Sequence, residues 1–356
     1  MTSPPAAAVD RVVERITPVD EDAARRAQEE LDRKTKPPGS LGELEALACR
    51  IAGIRGTHSP GRLPAAIVVV AGDHGYARHK VSAYPQEVTA QMLANFGAGG
   101  AAINVLARRA GARLVLVDAG VIQPVDDPAI ISRRLGAGTA DATEGPAMTR
   151  ERALIGIEAG AELAAELAAD GVAILGLGDM GIGNSTAAAA VCAALLSAEP
   201  ARVCGRGTGV DDRGLARKVA VVRRAVAVND PDPQDPIGVL AALGGFELAF
   251  LTGTCLGAAA ERAVVLLDGF ITGAAALVAA RLAPNAGRRM LASHHSAEPG
   301  HALVLADLDL HPLLDLDLRL GEGSGAALAL PLIEAALAIL GEMATFQSAG
   351  VTDAGA

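Results

Sequence analysis

A chain of 356 residues, 51% hydrophobic and 20% charged, is long enough for one large core or two modest ones and too apolar to stay disordered. A formal net charge of −10 argues against a nucleic-acid or anionic-membrane partner, and 2% aromatics with no Trp argue against a base-stacking platform. Cys49, Cys192, Cys204 and Cys255 form no C-x-x-C pair and the N-terminus has no apolar signal core, so reduced thiols in a cytoplasmic protein are expected.

Residues 1–55 read as helical, with helices over 23–33 and 41–52 around the turn Lys36-Pro-Pro-Gly-Ser. The apolar run 65–71 then ends in Gly72-Asp-His-Gly, and a helical stretch follows over 88–110. Next come a strand at 114–117 ending in Asp118-Ala-Gly, a loop over 139–148 and a helix over 150–169. A strand at 172–175 enters the glycine-rich stretch 176–186, which opens into a helix over 186–196. Helices are expected at 215–227 and 240–260, with a loop at 229–236 between them. Residues 263–280 come nearest to a membrane span, but Asp268 and Gly269 interrupt them, which suits a buried strand at 264–267 turning into a helix. Residues 325–340 and 344 onward are again helical. Continuous apolar strands alternating with helices imply an α/β fold, a parallel sheet covered by helices on both faces. The terminal helices are expected to pack together as a smaller domain.

The stretch from Gly176 to Thr186 has the makings of an anion site. Backbone N–H groups approach a phosphate only where no Cβ intervenes, and a helix N-terminus adds partial positive charge. An ordinary tight turn with glycines for close packing explains the same residues. Gly176, Gly178 and Gly181 satisfy G-x-G-x-x-G, a weak pattern in a glycine-rich chain. Gly178 to Ser185 follows the P-loop pattern except that Asn184 replaces the lysine, which disfavours a triphosphate and leaves a monophosphate. Asp73, His74, Asp118, Asp179 and Asp268 all follow strand ends, where the ligands of such sheets gather, although each could equally be a turn residue or helix cap.

Further strings stand in order along the chain: Lys36-Pro-Pro-Gly-Ser-Leu-Gly, Gly72-Asp-His-Gly, Val81-Ser-Ala-Tyr-Pro-Gln-Glu-Val, Gly205-Arg-Gly-Thr-Gly, Leu243-Gly-Gly-Phe-Glu, Leu267-Asp-Gly-Phe, Ser293-His-His-Ser, Glu298-Pro-Gly-His and Arg319-Leu-Gly-Glu-Gly-Ser-Gly. Taken with the glycine stretch, they closely resemble the nicotinate-nucleotide–dimethylbenzimidazole phosphoribosyltransferase family from about Lys36 to Phe346. The resemblance implies transfer of phosphoribose from nicotinate mononucleotide to 5,6-dimethylbenzimidazole, giving α-ribazole 5′-phosphate and nicotinate for the lower ligand of cobalamin. It implies a Rossmann-like large domain over 60–311, a small helical domain from 1–59 and 312–356, a homodimer, and no metal or cofactor.

The same resemblance makes Glu322 the general base, taking the proton from one azole nitrogen as the other bonds to the sugar. On the residues alone, a cap for the helix near Gly325 is an equal reading. Gly321 and Gly323 are expected to leave room for a flat substrate. Ser82, Tyr84, Gln91, Met180 and Leu320 are implied to line the slot for the base. Gly178, Asp179, Gly181, Gly183, Asn184 and Ser185 would hold the phosphoribose, Lys218 would supply a cation, and Gly207 and Thr208 would touch ribose or nicotinate. Asp179 stands where many relatives carry Glu, so a direct ribose contact could give way to a water bridge. Three rival readings are a metal hydrolase using His74, His79, His294, His295, His301 and Asp73, an NAD-dependent oxidoreductase resting on G-x-G-x-x-G, and a binding protein without turnover.

Overall fold

Apolar runs ending in glycine or aspartate become strands of one sheet. Among residues 5–352, which the computed structural model describes, seven strands pair in the order β3-β2-β1-β4-β5-β6-β7, every neighbour parallel. They are β1 (Ala65–Gly72), β2 (Arg113–Gly120), β3 (Ile130–Ser132), β4 (Ile174–Met180), β5 (Val264–Leu267), β6 (Met290–His295) and β7 (Pro312–Asp315). The expected Rossmann-like α/β fold with helices on both faces is the one that forms. Alternate residues of β1 enter opposite layers. Val68 and Val70 join a core with helices Arg150–Ala169, Asn184–Leu195, Phe246–Ala260 and Phe270–Leu282, while Ile67, Val69 and Ala71 join one with Glu43–Arg55, Ala102–Arg109 and Ser324–Glu342. Both faces are dry, so the strand is apolar without alternation, and each buried valine contributes roughly 1.5–3 kcal/mol.

Three strands escaped the sequence pattern for physical reasons. β3 and β7 are short, partly exposed edges, and β6 turns polar at Ser293-His-His because its end faces the crevice. Two expected helices are broken. The one over 88–110 divides into Val88–Gly97 and Ala102–Arg109, since Gly99 turns left-handed at φ +81°. The one over 240–260 divides at Gly244-Gly245 into Pro236–Leu243 and Phe246–Ala260, where a side chain on Gly245 would overlap His74 and Glu247. Residues 263–280 do form β5 followed by the helix Phe270–Leu282.

The chain ends cover the sheet unequally. Helices Glu21–Asp32, Glu43–Arg55 and Ser324–Glu342 share the second core, and Lys34 bridges to Thr345, whereas Val9 and Ile16 enter the first core on the other face. The helix Ser324–Glu342 is, among the described residues, the one long and apolar enough to cross a membrane, and 56% of its apolar window is buried against the protein. The expected division at 311/312 falls just before β7, which pairs with β6 in the same sheet. Beyond residue 344 the described helix is only Phe346–Ala349; residues 1–4 and 353–356 of the terminal segments lie outside the described residues.

From β1 the chain moves outward to β2 and β3, then crosses to β4 on the other side of β1 and moves outward again. Connections therefore diverge above the carboxyl ends of β1 and β4, opening a crevice there.

Candidate active site

Two glycines expected in the phosphate turn lie elsewhere. Gly176 and Gly178 are inside β4, paired in register with Ile67 and Val69 of β1. A Cβ on Gly178 would stand 2.6 Å from the backbone carbonyl of Glu322, so this glycine lets a second loop lie on the strand. The turn proper is Gly181 to Gly183, with Gly183 at φ +98° capping the helix Asn184–Leu195. Lacking its first two glycines at the turn, the G-x-G-x-x-G pattern does not form a dinucleotide-binding loop.

The loop admitted by Gly178 is Gly321-Glu322-Gly323, all three left-handed at φ +81°, +62° and +84°. Holding Glu322 there costs about 1–2 kcal/mol. The Glu322 amide donates to the Asp179 carbonyl at 3.3 Å. Gly323 and Gly325 amides donate to Asp268 at 3.0 and 2.7 Å, so Asp268 caps the helix Ser324–Glu342. Glu322 is therefore not the cap of its own helix. Its Oε2 instead accepts from the Ile103 amide at 3.4 Å. Burial raises the Glu322 pKa, opposed by the Ile103 amide. The flanking glycines do not open space for a ring. A Cβ on Gly323 would meet Ile67 at 2.7 Å and one on Gly321 would approach Asp179 at 3.2 Å, so both serve the backbone's close approach.

Beside this loop lies a cleft of about 90 Å³, walled by Asp179, Asn184, Ser185, Gly207, Thr208 and Leu320 of the predicted set. Two helix N-termini open on it, Asn184–Leu195 and Phe270–Leu282. At the first, the Asn184 and Thr186 amides already donate to the Gly181 and Gly183 carbonyls at 3.1 and 2.9 Å, which leaves the Ser185 amide and the positive ends of the two helices to suit an anion. Lys218, on the helix Asp212–Asn229, is fully buried, and its Nζ donates to Ser185 Oγ at 2.9 Å and to the Gly205 carbonyl at 3.0 Å. Burial lowers its pKa. Asp179 Oδ2 accepts from Asn184 Nδ2 at 2.8 Å, which is the work of asparagine where a P-loop has lysine. Asp179 Oδ1 is buried without a partner. Burial, then the charges of Asp268 and Glu247, raise its pKa well above the usual range. The Gly207 amide is committed to Glu298 at 2.7 Å, leaving Gly207 only its carbonyl and Cα for a ligand.

Ser82 Oγ and the Ala83 amide both meet Thr208 Oγ1 at 3.0 Å, joining the 81–87 loop to the cleft wall. The helix Val88–Gly97 is pinned to the glycine turn where the Ile182 amide donates to Thr89 Oγ1 at 3.1 Å. Met180 is half-buried in the same core as Ile103. Tyr84 and Leu320, each 56% exposed, and the exposed Gln91 face solvent.

Sequence reasoning missed the second helix N-terminus, although β5 running into Asp268-Gly-Phe repeats the strand–glycine–helix signal of β4. It also gave no individual role to Glu298 or Arg319, and placed Asp268 only among the strand-end residues and His294 only in the metal-hydrolase reading. His294 lines the cleft, and burial lowers its pKa to about 4, leaving it neutral. Of the other histidines, His74 meets Glu247 at 3.0 Å, His79 meets Asp141 at 2.7 Å, and His301, its ring 6.1 Å from that of His294, accepts from the Ser296 amide at 3.0 Å. Among the described residues no three of His, Cys, Asp or Glu converge as a metal-ligand set.

A phosphoribosyltransferase family profile matches residues 16–351. The nicotinate-nucleotide–dimethylbenzimidazole phosphoribosyltransferase of Chloroflexus aggregans is 53% identical over 344 residues, 96% of this chain and 98% of that protein. The protein of the same name from a Roseiflexus species is 53% identical over 345 residues, 97% of this chain and 98% of its own. The crystal structure of CobT from Thermus thermophilus superposes with a TM-score of 0.90 at 47% identity, covering 93% of this chain and 99% of that one. With a matching sheet, a matching profile and half of all residues shared over nearly the full length, the chain belongs to the nicotinate-nucleotide–dimethylbenzimidazole phosphoribosyltransferase family.

Proposed function

We propose that this chain moves phosphoribose from nicotinate mononucleotide to 5,6-dimethylbenzimidazole, with Glu322 as general base. The C1′–N bond to the pyridinium breaks and its electron pair stays on that nitrogen, so nicotinate leaves without building negative charge on the ring. One imidazole nitrogen attacks C1′ from the opposite face, turning the β-linkage into α. The proton on the other nitrogen passes to Glu322, which burial has made more basic than an ordinary glutamate. Fixing two flat rings on either side of one carbon supplies much of the acceleration.

In this reading the donor phosphate lies on the two helix N-termini above Lys218, and the unpartnered Oδ1 of Asp179 accepts from a ribose hydroxyl. Ser82, Tyr84, Gln91, Met180 and Leu320 enclose the base on the Glu322 side. A homodimer in the cytoplasm belongs to the same proposal, in keeping with four free cysteines, three of them buried.

The observation that carries the assignment is the strained Gly321-Glu322-Gly323 turn, held by Asp179 and Asp268 between the donor cleft and the Ile103 amide. Incubating the protein with nicotinate mononucleotide and a panel of bases, with mass detection of α-ribosides, tests the reaction. Glu322→Gln should retain a native melting profile and lose roughly 10²–10⁴-fold in kcat. A variant turning over at the wild-type rate refutes the base assignment.

A further inference from the structure

We propose that Arg319 pairs with the ring carboxylate of the donor and so selects nicotinate mononucleotide over its nicotinamide counterpart; this rests on the donor reading above. That donor carries two anions, a phosphate and a carboxylate. Lys218, buried behind Ser185, and the two helix N-termini form one electropositive corner. The second anion needs another cation.

Among the described residues that wall the cleft, Arg319 is the one permanent cation. No carboxylate lies within ion-pair distance of Arg319 among the described residues. Its one hydrogen bond, from Nη1 to the Gly207 carbonyl, is long at 3.4 Å, beyond the usual 2.7–3.2 Å. The guanidinium is thus charged, loosely held and free to take a better acceptor.

Its backbone, by contrast, is anchored. The Leu318 carbonyl accepts from the Ala297 amide at 3.1 Å, and the Glu322 amide donates to Asp179 at 3.3 Å. Arg319 hangs between these two fixed points, over the same cleft wall. A planar fork of N–H donors matches a carboxylate in two parallel bonds, whereas a carboxamide offers one acceptor and turns an NH₂ group against the fork. The carboxylate keeps its charge through the reaction, so the pairing acts equally on ground and transition states and should appear in KM rather than kcat.

The test compares wild type, Arg319→Gln and Arg319→Lys. Calorimetry measures binding of nicotinate mononucleotide and nicotinamide mononucleotide, and turnover is followed with the nicotinate donor. Arg319→Gln should weaken nicotinate mononucleotide roughly ten- to hundredfold with kcat little changed. Nicotinamide mononucleotide should bind as before, and Arg319→Lys should recover part of the loss. Equal weakening of both nucleotides would place Arg319 on the phosphate or in loop support, and no change in either would remove it from the site; both overturn the proposal. Failure of the wild type to form an α-riboside would refute the transferase reading, while the binding comparison still judges Arg319.

Discussion

Glu322 shows how one side chain is aimed by residues distant in sequence. Its left-handed backbone is tolerated because Gly321 and Gly323 flank it, and its height above β4 is set by the missing side chain at Gly178. Gly178→Ala should therefore do more than overpack. The new methyl meets backbone rather than a yielding side chain, and the loop cannot retreat without leaving Asp179 and Asp268. We expect a loss of about 1–3 kcal/mol in stability and a disproportionate fall in kcat. Gly145→Ala is the control, since nothing lies within 4 Å of its Cβ position. Thermal melts beside turnover measurements check both. Equal behaviour of the two variants would mean that Gly178 does not position Glu322 for the proposed reaction. Asp179 is held in a similar way: Asn184 fixes one carboxylate oxygen and leaves the other buried and unpaired. Its motif was visible in the sequence, but the orphaned oxygen was not, because that depends on which neighbours fold over it.

At the scale of elements, the cleft beside Glu322 comes from repeating one device. A parallel strand ends, a glycine intervenes and a helix points its N-terminus back over the sheet, once after β4 and again after β5. Sequence reading found the strand, turn and helix at Asp268-Gly-Phe but assigned anion binding only to the richer glycine stretch. The second turn can be tested without disturbing the fold. A Cβ on Gly269 would lie 3.6–3.7 Å from the His294 ring, an ordinary contact. Gly269→Ala should melt close to wild type yet raise the KM for nicotinate mononucleotide roughly tenfold, the scale of one charge-assisted hydrogen bond. An unaltered KM would confine the phosphate to the helix Asn184–Leu195. Helix Arg150–Ala169 was legible to the residue because a threonine cap and an uninterrupted apolar pattern bound it. The breaks at Gly97–Gly100 and Gly244–Gly245 were not, because isolated glycines in helical patterns are ambiguous until their neighbours are known.

Across the whole molecule, the buried polar groups of the crevice leave a signature in stability. Burial pushes Asp268 up to about 7, with Asp179 and Glu322 also raised. The folded state thus retains protons that the unfolded chain releases. This stabilisation is complete below the ordinary carboxyl pKa of about 3.9–4.3 and is lost as pH rises through the folded values. His294, lowered to about 4, and His301, lowered to about 3, act oppositely: their contribution is full above about 6.5 and fades as pH falls below it. The two slopes oppose each other between about pH 4 and 6.5, and only the carboxyl slope persists above. The ligand-free protein should therefore lose melting temperature between about pH 6.5 and 8. A rising melting temperature across that window would contradict the buried acid cluster.

By itself, the sequence determined the parallel sheet, the order of the motifs, the family and the identity of the acidic residue in Leu320-Gly-Glu-Gly. Those are carried by short apolar runs, glycines and spacing along the chain, which local sterics and burial impose directly. Only the tertiary structure decided that Gly178 makes room for Glu322, that Asp268 caps the helix left open by Glu322, and that Arg319 walls the cleft beside it. Asp268 meets Gly323 and Gly325 from 55 and 57 residues away, and such contacts exist only once the sheet has brought its strand ends together.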